Sequence, residues 1–193
     1  MPELPEVQTV VNNLNPVLCG KSIKSVSNPN GYQNVFENGS LTYYNSFLKN
    51  KIINNIYRRG KYIIFKLNSG YAIVHLRMTG KLVVKQPNEK NMKYVSFKLS
   101  LSNNTKLFFE DIRKFGRIYI NKNIHWLENK IGIEPLSDKF TSTFLYKILN
   151  DHRRMIKPLL LDQKYIAGLG NIYVDEALWD SGIHPQTLSN NIT

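Results

Sequence analysis

A secondary amine beside a carboxylic acid can do covalent chemistry, and the first residues of this chain supply both. The sequence opens Met1-Pro2-Glu3-Leu4-Pro5-Glu6. Removal of a start methionine before a small residue would leave Pro2 with a free secondary amine. Such an amine attacks a sugar or carbonyl carbon and becomes a cationic iminium, an electron sink for later eliminations. Glu3 sets a carboxyl group one residue away, within range for general acid or base work. Met-Pro is also a common start and Glu a common surface residue, so the pair carries weight only with support from the rest of the chain.

The elements around these residues favour the reactive reading. Val7, Val10, Val11, Leu14 and Leu18 recur at helical spacing, which predicts a helix from about Pro5 to Leu18, stopped by Gly20. Glu3 and Glu6 then lie at its positive end, where carboxylates are favoured. The same potential disfavours protonation of a nearby amine. An α-amino group already titrates near about 7.7–8.0, so a small depression leaves it nucleophilic at neutral pH.

The 193 residues carry 26 Lys+Arg against 14 Asp+Glu, a formal net charge of +12. That excess favours polyanionic partners, nucleic acid above all. No apolar run approaches the ~18 residues that cross a bilayer, no secretory signal opens the chain, and no basic amphipathic helix points to a membrane surface. The single cysteine, Cys19, excludes internal disulfides and multi-cysteine zinc sites within residues 1–193 and fits a reducing cytoplasm. No metal ligand set is assigned.

From Ile23 to Ile120 the chain reads as short strands. Lys61–Leu67 and Tyr71–Leu76 flank a turn at Asn68-Ser69-Gly70, and Val95, Phe97, Leu99 and Leu101 alternate with polar residues. Thr105–Phe109 and Gly116–Ile120 follow. The pattern predicts an antiparallel sandwich or barrel. Beyond it Phe140, Phe144, Leu145, Ile148 and Leu149 take helical spacing, Pro158–Leu161 is a second apolar segment, and Asn171 is placed to cap a third helix to about Asp180. The expected class is α+β: an N-terminal helix with a β-sandwich lobe over 1–130, then a helical lobe over 131–193. The tail Ser189–Thr193 shows no finishing element.

Three basic clusters fall at turns: Arg58-Arg59-Gly60-Lys61, Arg113-Lys114-Phe115-Gly116-Arg117, and His152-Arg153-Arg154 with Lys157. Cations on turns reach phosphates; they also make ordinary solvated faces. Phe115 sits inside its cluster and Met78 at another turn, so each reads either as a wedge for a base stack or as a core residue at a strand end. Gly168-Leu169-Gly170-Asn171 opens a helix, a phosphate-binding arrangement that is also a simple tight turn.

Together these segments resemble the formamidopyrimidine-DNA glycosylase family. The residues that carry the resemblance are Met1–Val7, Arg59-Gly60-Lys61-Tyr62, His75–Gly80, Asp111–Gly116, Gly132–Leu136, Ile166–Tyr173 and Gly182–Pro185, in the family's order across nearly the whole chain. Leu4 fits this branch better than the endonuclease VIII branch. The resemblance implies a β-sandwich lobe and a helix-two-turns-helix lobe acting, as a monomer in the bacterial cytoplasm, on double-stranded DNA with oxidised bases or abasic sites. It implies that Pro2 attacks C1′ and that Glu3 protonates the ring oxygen. Glu6 and Lys61 complete the catalytic group; Lys61, His75 and Asn171 grip phosphates; Met78, Arg113 and Phe115 fill the gap left by an everted nucleotide.

The chain departs from the pattern at Arg77, Thr79 and Lys114. It also lacks the four-cysteine zinc finger of the family, its DNA-contacting arginine and the loop that covers the extruded base, so the one zinc that the resemblance implies has no place in 1–193. Two alternatives stay open: a damaged-DNA-binding module with little turnover, and a glycosylase of endonuclease VIII type for oxidised pyrimidines.

Overall fold

The structure is a computed structural model and describes residues 1–85 and 93–192. It divides into two compact units, Met1–Ile124 and His125–Thr193.

The first unit begins with helix α1 (Leu4–Leu18), whose Leu4, Val7, Val11, Leu14 and Leu18 are buried. Val7, Val11, Leu14 and Leu18 are buried as the apolar spacing predicts, while Val10 is only half-buried and Leu4 joins the stripe. Pro5 stands in the first turn, where its missing N–H costs nothing. The strands are β1 (Ile23–Ser27), β2 (Ile53–Arg59), β3 (Tyr62–Leu67), β4 (Tyr71–His75), β5 (Lys81–Lys85), β6 (Val95–Leu101), β7 (Lys106–Glu110) and β8 (Arg117–Asn121). They form two four-stranded sheets, ordered β1-β6-β7-β5 and β2-β3-β4-β8, with antiparallel neighbours throughout. Phe97, Leu99, Leu107 and Phe109 of one sheet share a core with Ile56, Ile63, Phe65, Val74 and Ile118 of the other and with the α1 stripe. Each such side chain contributes about 1.5–3 kcal/mol by burial.

One stretch departs from the strand reading. Leu41–Leu48 is a helix, α2. Its Thr, Tyr and Phe content favours strands, but the Ser40 hydroxyl accepts the Tyr43 amide at 3.2 Å and starts a helical turn. Tyr44 and Leu48, four residues apart, are both fully buried, and that burial outweighs a weak local propensity.

The second unit holds α3 (His125–Lys130), α4 (Ser142–Asn150), α5 (Ile156–Leu161) and α6 (Asn171–Asp180). Ile148, Leu149, Ile156, Leu159, Ile166, Val174 and Leu178 make its core. Gly132 lies against the 163–167 segment: its amide donates to the Gln163 carbonyl at 2.8 Å, and an added Cβ would meet the Tyr165 carbonyl oxygen at 2.1 Å. The tail has an element after all. Ser189–Asn191 is a 3-10 turn, and the Ser189 hydroxyl donates to the His152 carbonyl. Thr193 lies outside the described residues.

Candidate active site and nucleic-acid interface

Helix α1 has its N-cap at Glu3, and a capping box closes its first turn: the Glu3 amide donates to the Glu6 carboxylate at 2.7 Å, and the Glu3 side chain accepts the Glu6 amide. Glu3 is 3% exposed. Glu6 is at the surface and Pro2 half-buried. Met1, which precedes Pro2, is exposed.

Lys61 comes to this point from the β2–β3 turn. Arg59 pairs with Tyr62 in the ladder, leaving Gly60 and Lys61 to make the reversal, and Gly60 takes a φ of 55° that suits a residue without Cβ. Lys61 is 5% exposed. Burial pushes its ammonium below the ordinary lysine range, and the Glu3 and Glu6 carboxylates pull it part of the way back. Glu3, Glu6 and Lys61 therefore interact as one charged group at the start of α1, next to Pro2 in the chain.

His75 ends β4, one strand over, and pairs with Tyr62. The two rings meet edge-on with centroids 4.6 Å apart. The Arg77 amide donates to His75 Nδ1 at 3.0 Å. A neutral ring so held carries its proton on Nε2, which makes that nitrogen a donor. Arg77 adopts a φ of 54° to do this, at a position where the chain departs from the family pattern.

Met78 and Phe115 do not pack as core residues. They are 46% and 47% exposed, and neither belongs to the core. The Arg113 guanidinium joins them: its Nη1 lies 3.4 Å from Met78 Sδ, and its Cζ lies 4.9 Å from the Phe115 ring centre. One cation and two apolar side chains thus form a single exposed cluster.

Asn171 belongs to the second unit. The N-cap of α6 is Gly170, and Asn171 is the first helical residue, exposed at the helix start. The cap assignment therefore shifts back by one residue, to Gly170 in ordinary extended backbone. Gln163, which the sequence reading passes over, organises this entry. Its side chain accepts the Gly168 amide at 2.8 Å and donates to the carbonyls of Leu161 and Leu169 at 2.9 and 2.8 Å.

Several cations in the basic clusters are tied up within the protein. Arg58 donates to Gln8 Oε1 at 3.0 Å, Arg117 pairs with Glu37 at 3.0 Å, Arg154 with Asp162 at 3.1 Å and Lys157 with Asp175 at 2.7 Å. Asp111 and Thr79, named in the sequence but given no role there, link the Met78 and Phe115 loops through a side-chain hydrogen bond. The signal was an aspartate opening a turn, where its side chain bonds amides just ahead. Among the described residues, no three His, Cys, Asp or Glu converge on a metal position and no helix is long and apolar enough to cross a membrane. With Cys19 as its one cysteine, residues 1–193 do not fit a four-cysteine zinc.

Comparison with known proteins places this geometry. The family described as formamidopyrimidine-DNA glycosylase N-terminal domain matches residues 1–118, and that described as its H2TH domain matches residues 131–193. The formamidopyrimidine-DNA glycosylase of Pelotomaculum thermopropionicum is 41% identical over 198 residues, covering 100% of this chain and 71% of its own length. A structure of MutM in complex with carbocyclic 8-oxo-G containing DNA superposes with a TM-score of 0.91 at 36% identity, over 100% of this chain and 72% of that one. The Lactococcus lactis formamidopyrimidine-DNA glycosylase, non-covalently bound to AP-site DNA, gives 0.90 at 34% identity, over 99% and 74%. Fold and matches together define a DNA-binding glycosylase of DNA repair. The chain belongs to the formamidopyrimidine-DNA glycosylase family.

Proposed function

We propose that this chain excises oxidised purines from duplex DNA and then cuts the strand, as a bifunctional glycosylase and lyase of base-excision repair in a bacterial cytoplasm. The observation that carries the reading is the buried Glu3–Lys61 group at the start of α1, immediately beside Pro2. Once Met1 is removed, the Pro2 nitrogen attacks C1′ of the damaged nucleotide. The N–C1′ bond forms as the glycosidic bond breaks, and that electron pair leaves with the purine, which takes up a proton. The proton that the Pro2 nitrogen gives up passes to the Glu3 carboxylate, which delivers it to the sugar ring oxygen; the ring opens, and the nitrogen lone pair forms the iminium. The iminium acidifies the C2′ hydrogens, and successive β- and δ-eliminations expel the phosphates on either side.

Lys61, His75 and Asn171 take phosphate contacts, and Glu6 holds the backbone that carries the nucleophile. Met78, Arg113 and Phe115 fill the space that an everted nucleotide vacates; chemistry at C1′ requires that eversion. The exposed, cation-linked state of these three side chains supports this role. The relatives whose structures hold 8-oxo-G and AP-site DNA support the choice of lesion.

Borohydride trapping tests the reading. Processed protein mixed with an 8-oxoguanine or abasic duplex should give a covalent adduct that Pro2→Gly abolishes. DNA affinity with neither adduct nor cleavage would replace the proposal with a binding module. Faster cleavage of thymine glycol than of 8-oxoguanine would move the chain to oxidised pyrimidines.

A further inference from the structure

The loop between β4 and β5 carries Met78, and the loop between β7 and β8 carries Arg113 and Phe115. Each loop crosses from one sheet to the other. The ladder pairs His75 with Arg117 at one end of the two loops and Lys81 with Glu110 at the other, so they run side by side. Both rest on one ring: an added Cβ would come within 2.7 Å of Phe109 Cζ from Gly80 and within 2.3 Å from Gly116.

Between the loops lies the Asp111 carboxylate, 1% exposed. Its Oδ1 accepts the Thr79 hydroxyl and the Arg113 amide, the amide at 3.2 Å. Its Oδ2 accepts the Gly116 amide at 2.6 Å. The Arg113 amide also reaches Thr79 Oγ1 at 3.2 Å. A buried carboxylate needs such donors, and here they bracket Phe115 and reach across to the residue after Met78. Asp111 faces no solvent and is not placed to touch DNA.

We infer that Asp111, acting with the Thr79 hydroxyl, is the positioning residue that fixes Met78, Arg113 and Phe115 as one preformed wedge. The inference rests on the wedge role proposed above. Its physical content is preorganisation: side chains held in place before binding do not lose that freedom when they enter a duplex.

Two measurements separate the inference from that role. In the free protein, Thr79→Val should speed amide exchange at Arg113 and Gly116 by roughly tenfold, as loss of a bond to a charged group implies, while Thr79→Ser and the core amides stay unchanged. Asp111→Asn should do more, because a carboxamide turns its NH2 toward one of the N–H donors. With DNA, Thr79→Val should lose on the order of tenfold in cleavage of an 8-oxoguanine duplex, with cleavage of a single-stranded abasic oligonucleotide unchanged and Thr79→Ser restoring the duplex rate. Unaltered exchange in Thr79→Val overturns the inference, whatever the DNA result. Loosened loops with full duplex activity also overturn it. Phe115→Ala with full duplex activity instead defeats the wedge role itself.

Discussion

Glu3 and Glu6 hold each other across the first turn of α1, the amide of Glu3 bonded to the carboxylate of Glu6 at 2.7 Å and the Glu3 side chain bonded in return to the Glu6 amide. The bond to the Glu3 amide sits one peptide from the Pro2 nitrogen, so the cap sets both the helix and the placement of the proposed nucleophile. Glu6→Ala should lower stability by about 1 kcal/mol in urea denaturation. It should also reduce borohydride trapping, while Glu6→Gln, whose amide oxygen still accepts, keeps most of both. Equal trapping by the two variants would remove Glu6 from the site.

Lys61 should titrate below the ordinary 10.5, because burial is the larger influence on it. Glu3→Gln removes one carboxylate that opposes this and should move the midpoint lower still; nitrogen-detected NMR of the side chain reads both. The linked stability effect has a definite sign. Between the depressed native value and 10.5 the unfolded chain binds more protons than the native one, so stability rises with pH across that window. Lys61→Met should remove its share of the rise and leave that of Lys51, which burial also depresses.

Tyr44 joins α2 to β8, its hydroxyl lying 2.5 Å from the Ile118 carbonyl oxygen and 2.6 Å from Asn38 Oδ1. Burial holds this phenol above its ordinary range. Tyr44→Phe should cost about 1 kcal/mol and no more, since the Ile118 carbonyl also accepts the Glu37 amide and Asn38 Oδ1 the Ile120 amide. A loss several times larger in thermal unfolding would mean that the hydroxyl orders more than these two neighbours.

Gly116 and Gly182 give a matched pair. A Cβ at Gly116 would sit 2.3 Å from Phe109 Cζ, while Gly182, at a φ of 64°, has nothing within 4 Å of its added Cβ. Gly116→Ala should cost about 1–3 kcal/mol through overpacking and should slow duplex cleavage by moving Phe115. Gly182→Ala carries only the backbone strain, on the order of 1 kcal/mol, with cleavage unchanged. Similar cleavage by both would break the link between the Phe109 platform and the wedge.

The sequence by itself determined the helix at the start, the alternating strands, the helical second half and the residues able to do chemistry. Those signals are local: Val7, Val11, Leu14 and Leu18 share a face by spacing alone, and Val95–Leu101 alternates because a strand does. It missed α2, where strand-favouring Tyr43, Tyr44 and Phe47 belong to a helix held by the Ser40 cap and by burial against distant strands. Only the tertiary structure decided that Lys61 is buried among the charges of Glu3 and Glu6, which lie far from it in the sequence. It alone showed that Met78 and Phe115 are exposed and that Asp111 ties their loops together. Burial and cross-loop hydrogen bonds depend on which strands lie side by side, and no local pattern encodes that choice.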